Sequence, residues 1–160
     1  MRQNVKDIIL RNEPGEGVLH ALEKFLEEDR YLLRVNANER SLTHRVAIYL
    51  QQEFPDWDVD CEYNRDEHEV KELYLPGGDP EVDDGDAQTV HPDVVVHKRG
   101  AKCNYLVIEF KKTSSGIGEE KDFLKLRAFR EQLGYKYALF VEFEVDIEGG
   151  EISRAEWVNG

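Results

Sequence analysis

The chain has 160 residues, of which 34 are acidic and 21 basic, giving a formal charge of −13 and a pI near 4.8. A surplus of that size repels polyanions on average, which excludes a histone-like coat or a nonspecific nucleic-acid glue and confines any phosphate chemistry to a local site. Hydrophobic content of 40% interleaved with charge is that of a globular chain, and this length favours one domain with roughly 70% of its unfolded surface buried.

The expected organisation is a single domain over 1–160, a folded monomer or small oligomer. It has a helical extension over 1–35, a core over 36–145 that contains an acidic loop at 65–90, and a terminal strand over 146–160. No apolar run reaches the ~20 residues of a membrane helix, and the N-terminal segment lacks the basic start, apolar stretch and cleavage site of a signal peptide. A cytoplasmic protein without a membrane partner is expected. Cys61 and Cys103 have neither CxxC spacing nor a paired histidine, so they are read as buried or incidental reduced thiols rather than zinc ligands.

In chain order, Val18, Leu19, Leu22, Phe25 and Leu26 recur at helical spacing after Pro14-Gly15, with acidic residues on the outer face. Leu42, Val46, Tyr49, Leu50 and Phe54 form a second stripe, opened by Asn36 or Asn38 as N-cap and closed by Pro55. Glu39 lies one turn before Leu42, so it projects from nearly the same face as that stripe. From Trp57 to Asn64 apolar and polar residues alternate as in a strand with one wet face. The Gly-, Pro- and Asp-rich stretch from Arg65 to Val90 is read as a mobile acidic loop following a short helix that ends near Tyr74.

Asp93 to Lys98 and Tyr105 to Lys111 are β-branched, apolar runs around Arg99-Gly100-Ala101-Lys102, which predicts a hairpin of central strands covered on both faces. Phe123, Leu126, Phe129, Arg130 and Leu133 follow helical spacing up to Gly134. Tyr137 to Val145 is a further strand, and Ile152 to Val158 adds an edge strand. The order of elements is that of an α/β fold, a mixed central sheet flanked by helices.

Glu109 and Lys111 are two apart in a strand and share one face, and a hairpin around Arg99 brings Asp93 beside them. Two carboxylates and a backbone carbonyl suit a hard divalent cation such as Mg²⁺, with Mn²⁺ as a substitute. A neighbouring lysine steadies an attacking hydroxide or the charge that develops at phosphorus. This is equipment for phosphodiester hydrolysis.

Pro92-Asp93, a hairpin, then Glu109-x-Lys111 resembles the signature of the PD-(D/E)xK nuclease superfamily, the restriction endonuclease-like fold. The resemblance covers residues 36–145 as an order of elements, αβββαβ. It implies a Mg²⁺-dependent endonuclease or exonuclease that hydrolyses DNA phosphodiester bonds. Asp93 and Glu109 would be metal ligands together with the Phe110 carbonyl, Lys111 the catalytic lysine, and Glu39 the acid contributed by the first core helix. Lys112, Lys121 and Lys125 are then placed to meet substrate phosphate. The long acidic loop before Asp93 departs from the common pattern.

Other motifs fail on their own chemistry. Asp58, Asp60, Glu62 and Glu69 fall near EF-hand offsets, but Tyr63 stands where a sharp turn needs Gly. His68-Glu69 lacks the second histidine of a zinc-protease helix, and Gly116-Ile117-Gly118 lacks the Lys-Ser or Lys-Thr of a nucleotide loop. Residues 98–136 carry ten basic and five acidic side chains, a net +5 that leaves −18 for the remainder. DNA contact is therefore expected on that basic segment and expected to be weak and salt-dependent. The competing expectations are a catalytically inactive nuclease-like module that docks a protein partner or a second copy, and a phosphohydrolase acting on small nucleotides.

Overall fold

The computed structural model describes residues 1–63, 65–66, 69–70, 72–75 and 88–159. The helices are α1 (Gln3–Ile9), α2 (Gly15–Glu28), α3 (Tyr31–Arg34), α4 (Glu39–Glu53) and α5 (Glu120–Leu133). The longer strands are β1 (Asp58–Cys61), β6 (Val94–Lys98), β7 (Cys103–Lys112), β8 (Tyr137–Glu144) and β9 (Glu151–Trp157). Between β1 and β6 the described residues include the two-residue strands β2 (Arg65–Asp66), β3 (Glu69–Val70), β4 (Glu72–Leu73) and β5 (Gln88–Thr89).

The longer strands form one mixed sheet in the order β1-β6-β7-β8-β9. β1, β6 and β7 run antiparallel to one another in turn, β8 is parallel to β7, and β9 returns antiparallel on the edge. The β6–β7 hairpin closes where Lys98 faces Cys103, with a register shift at Val96/His97. Among the described residues β2 pairs with β3 alone and β4 with β5 alone.

Period-two alternation along β7 sorts its side chains between two apolar layers. Leu106, Ile108 and Phe110 point into a cluster with Val5, Ile9, Val18, Leu22, Phe25, Leu42, Val46 and Leu50 of α1, α2 and α4. Val107 points the other way, against Leu126 and Phe129 of α5. Each fully buried Leu, Phe or Ile contributes about 1.5–3 kcal/mol of transfer free energy, so both faces of the sheet are needed to hold the helices. The result is three layers, with α1 to α4 on one face of the sheet and α5 on the other.

Local signals set the ends of these elements. Asn38 caps α4, its Oδ1 accepting from the Ser41 N–H at 2.8 Å. Gly134 ends α5 in the left-handed conformation at φ 68°, the usual conformation of a glycine that stops a helix. Gly150 has φ 87°, and a Cβ there would lie 2.5 Å from Leu33 Cβ, so only glycine lets the β8–β9 turn close on α3.

Two local expectations change. The short helix expected to end near Tyr74 is not found among the described residues. Glu72–Leu73 is instead extended and pairs with Gln88–Thr89, which sets Leu73, fully buried, in the α5-side core beside Val90. The acidic segment 76–87 lies outside the described residues. Both cysteines are exposed and unpaired, so incidental rather than buried is the correct description. Among the described residues no helix is long and apolar enough to cross a membrane.

Because Asn38 caps the helix that begins with Glu39, Asn38→Ala is expected to cost about 1 kcal/mol of folding free energy. Urea unfolding checks this, as a lower midpoint at unchanged m-value.

Candidate active site

The alternation that sends Phe110 into the α4-side core sends Glu109 and Lys111 under α5. Glu109 is 1% exposed. A carboxylate removed from water to this degree is costly unless it is paired. Its partner is Lys125 on the second turn of α5, whose Nζ donates to Glu109 Oε2 at 2.6 Å. Glu109 Oε1 is buried without a hydrogen-bond partner among the described residues.

Asp93, one residue ahead of β6, turns its carboxylate toward the same place, and its Oδ2 accepts from the Phe110 N–H at 2.7 Å. Burial pushes the Asp93 carboxyl up to about 6, against the pull of the Phe110 N–H and the Lys125 ammonium and with added repulsion from Glu39 and Asp122. Glu109 is raised well above the usual carboxylate range, by burial first and then by the charge of Asp93. Burial works against the charge on Lys125, yet Glu109, Asp93 and Asp122 together hold its ammonium above the ordinary lysine value.

Lys111 completes the face. Its Nζ stands 3.1 Å from Asp122 Oδ2, with the two side chains 12% and 13% exposed; the contact is an ion pair without hydrogen-bond alignment, since that oxygen has no hydrogen-bond partner among the described residues. Glu39, the first residue of α4 and partly buried, approaches from the other layer and accepts from the Lys112 N–H through Oε2 at 3.3 Å.

Of the residues singled out from sequence, Asp93, Glu109, Lys111 and Lys125 are brought together, and Glu39 reaches the adjoining backbone. Phe110 presents its N–H to Asp93 while its ring stacks on Phe143 at 5.1 Å in the opposite layer. Lys112 is engaged elsewhere, donating at 2.9 Å to Asn36 Oδ1 and to the Ala37 carbonyl. Lys121 is exposed and has no partner among the described residues. Asp122 is the member of the cluster that sequence reasoning misses. It sits four residues before Leu126 and seven before Phe129, in phase with the inward stripe of α5 as Glu39 is with Leu42.

Seven of the ten cations of 98–136 sort to two ends of the sheet. Lys98 lies over the Trp57 ring at 5.3 Å, Arg99 donates through Nε to Asp60 at 2.8 Å, and Lys136 pairs with Glu13 at 2.9 Å. These mark the hairpin end of β7, a strand of ten residues and so roughly 30 Å long. Lys111, Lys112, Lys121 and Lys125 belong to the opposite end.

At that end Asp93 lies within electrostatic reach of Glu39, Glu109, Asp122 and Lys125, and Asp122 pairs with Lys111. Among the described residues no group of three or more His, Cys, Asp or Glu forms a metal cage. Mg²⁺ does not require one, because it keeps several waters and binds through one or two carboxylates. Asp93 and the orphaned oxygen of Glu109 fit such an ion in donor type. Comparison with family models, with curated proteins and with solved structures yields no match for this chain.

The raised Asp93 carboxyl makes a pH-dependent contribution to stability. Its proton is held more tightly in the folded chain than in the unfolded one, so the contribution is complete below the ordinary value of 3.8 and is lost as pH rises through about 6. In EDTA, Asp93→Asn is expected to exceed the wild type in stability at pH 8, by on the order of 2 kcal/mol, and to lose that advantage near pH 4. Urea midpoints across this range decide the matter; a gap of constant size would contradict it.

Proposed function

We propose that this protein is a Mg²⁺-dependent nuclease on a restriction endonuclease-like αβββαβ core, hydrolysing DNA phosphodiester bonds. The observation that carries this reading is the buried Glu109 carboxylate, one oxygen unpartnered, beside Asp93 and on the same face as Lys111. The succession α4, β1, β6, β7, α5, β8, with three antiparallel strands and then one parallel to β7, supports the core. The charged cluster lies at the C-terminal end of the parallel pair β7 and β8, where open α/β sheets leave a crevice for ligands.

Within that reading Asp93 and Glu109 hold the cation, and the Phe110 N–H orients the Asp93 carboxylate. The bound Mg²⁺ would supply polarisation of a phosphoryl oxygen and a water of lowered pKa. Lys111 presents an ammonium on the same face to the attacking oxygen or to the charge on the phosphoryl group. Asp122 aims Lys111, and Glu39 fixes the backbone at Lys112. DNA meets this end through the exposed Lys121, and the acidic remainder of the surface keeps the contact small and salt-sensitive.

A second reading, an inactive module that binds a protein, is favoured by the Lys111–Asp122 pair, which engages the lysine with a carboxylate of its own chain. Assays of duplex, branched and single-stranded DNA separate the two. Cleavage should require Mg²⁺ or Mn²⁺, stop with EDTA, and fall by about 100-fold or more in Glu109→Ala and in Lys111→Ala. No cleavage by the wild type, or equal cleavage by all three proteins, would remove the nuclease reading. DNA association measured at increasing salt should weaken steeply, and binding indifferent to salt would place the contact elsewhere.

A further inference from the structure

Resting on the reading of Asp93 and Glu109 as a cation site, we infer that Lys125 is a built-in competitor for that site: its ammonium holds Glu109 while no divalent ion is bound, and ion and ammonium exclude one another there. The contact is direct, 2.6 Å from Lys125 Nζ to Glu109 Oε2, with the lysine side chain 18% exposed and the glutamate 1%. A buried carboxylate needs a counter-charge in the empty site, and Lys125 supplies it from the chain itself. A divalent ion at the same carboxylate brings two positive charges to a place that already holds one, in surroundings that screen poorly.

The other ammonium cannot serve as the placeholder. Lys111 is held on Asp122 at 3.1 Å. Asp122 stands three residues before Lys125 on α5, on the neighbouring turn and within reach of the displaced ammonium. Loading the site is therefore an exchange of partners along Glu109, Lys125 and Asp122, not the filling of a vacant cage. Its consequence is a weakened apparent cation affinity, which arms the site only where the ion is abundant.

Mn²⁺ titration calorimetry on the full chain, comparing wild type, Lys125→Met and Asp93→Asn, tests the exchange. Lys125→Met keeps the aliphatic stem and should bind Mn²⁺ at least tenfold more tightly than wild type, whereas Asp93→Asn should bind far more weakly. In the wild type at fixed pH, amine labelling read by mass spectrometry should show Lys125 modification rising severalfold when Mn²⁺ is added, with Lys121 as an unchanged control. No gain in a folded Lys125→Met, or no Mn²⁺-dependent labelling of Lys125, overturns the inference; if Lys125→Met fails to fold, the labelling alone decides. Wild-type Mn²⁺ binding that depends on Asp93 without either effect leaves the cation site standing and removes only the competition. Absence of Mn²⁺ binding in both wild type and Lys125→Met removes both.

Discussion

The burial of Glu109 beneath α5 is the constraint around which the functional end of the molecule is arranged. β7 is an interior strand whose two faces are both covered, so its alternation leaves no wet side on which a carboxylate could rest. Lys125 must reach it, Asp93 must share its surroundings, and the first turns of α5 must be charged on the inward side. The same helix continues inward as Leu126 and Phe129. One element is therefore half site and half core, and the apolar half positions the charged half.

Much of this was legible in the sequence, for reasons that can be given residue by residue. The short turn after Lys98 fixes the hairpin, and the hairpin fixes Asp93 opposite the Glu109–Lys111 segment. Period two alone separates Phe110 from Glu109 and Lys111. The same rule puts Lys112 on the Phe110 side, toward Asn36 and Ala37, a step that its neighbour's basic character obscured. Asp122 escaped notice because an acid in the first turn of a helix already has an ordinary reason to be there, the favourable end of the helix dipole. Leu73 escaped because a two-residue strand is too short to display a period.

The far end of the sheet carries a different chemistry. Trp57 stacks on Tyr105 at 4.6 Å, Lys136 lies 5.1 Å from the Tyr137 ring, and Glu13 accepts from both Lys136 and Tyr137. His97, 2% exposed, is 2.8 Å from Asp60 through Nε2. These cations are spent on aromatic rings and carboxylates that close the hairpin, so a segment that reads as one basic run in sequence is two unlike neighbourhoods in space. At the site end the connecting segments bind one another instead, Ser114 Oγ to Asn36 Oδ1 at 3.0 Å and the Val145 N–H to Thr113 Oγ1 at 3.1 Å.

Glu109, Lys111, Asp122 and Lys125 all come from a single strand, connection and helix within seventeen consecutive residues. Their meeting depends on rotation as well as distance, since each residue inserted into a helix rotates its remaining turns by about 100°. Length changes in this stretch are thus unequal in effect. An insertion around Gly116, where an added Cβ would meet no other described residue beyond its chain neighbours within 4 Å, lengthens a connection and leaves the helix in phase with its own apolar stripe. One between Asp122 and Leu126 swings Asp122 off the seam while Phe129 keeps the rest of α5 in place, so related chains should vary in length before Glu120 and hardly at all after it.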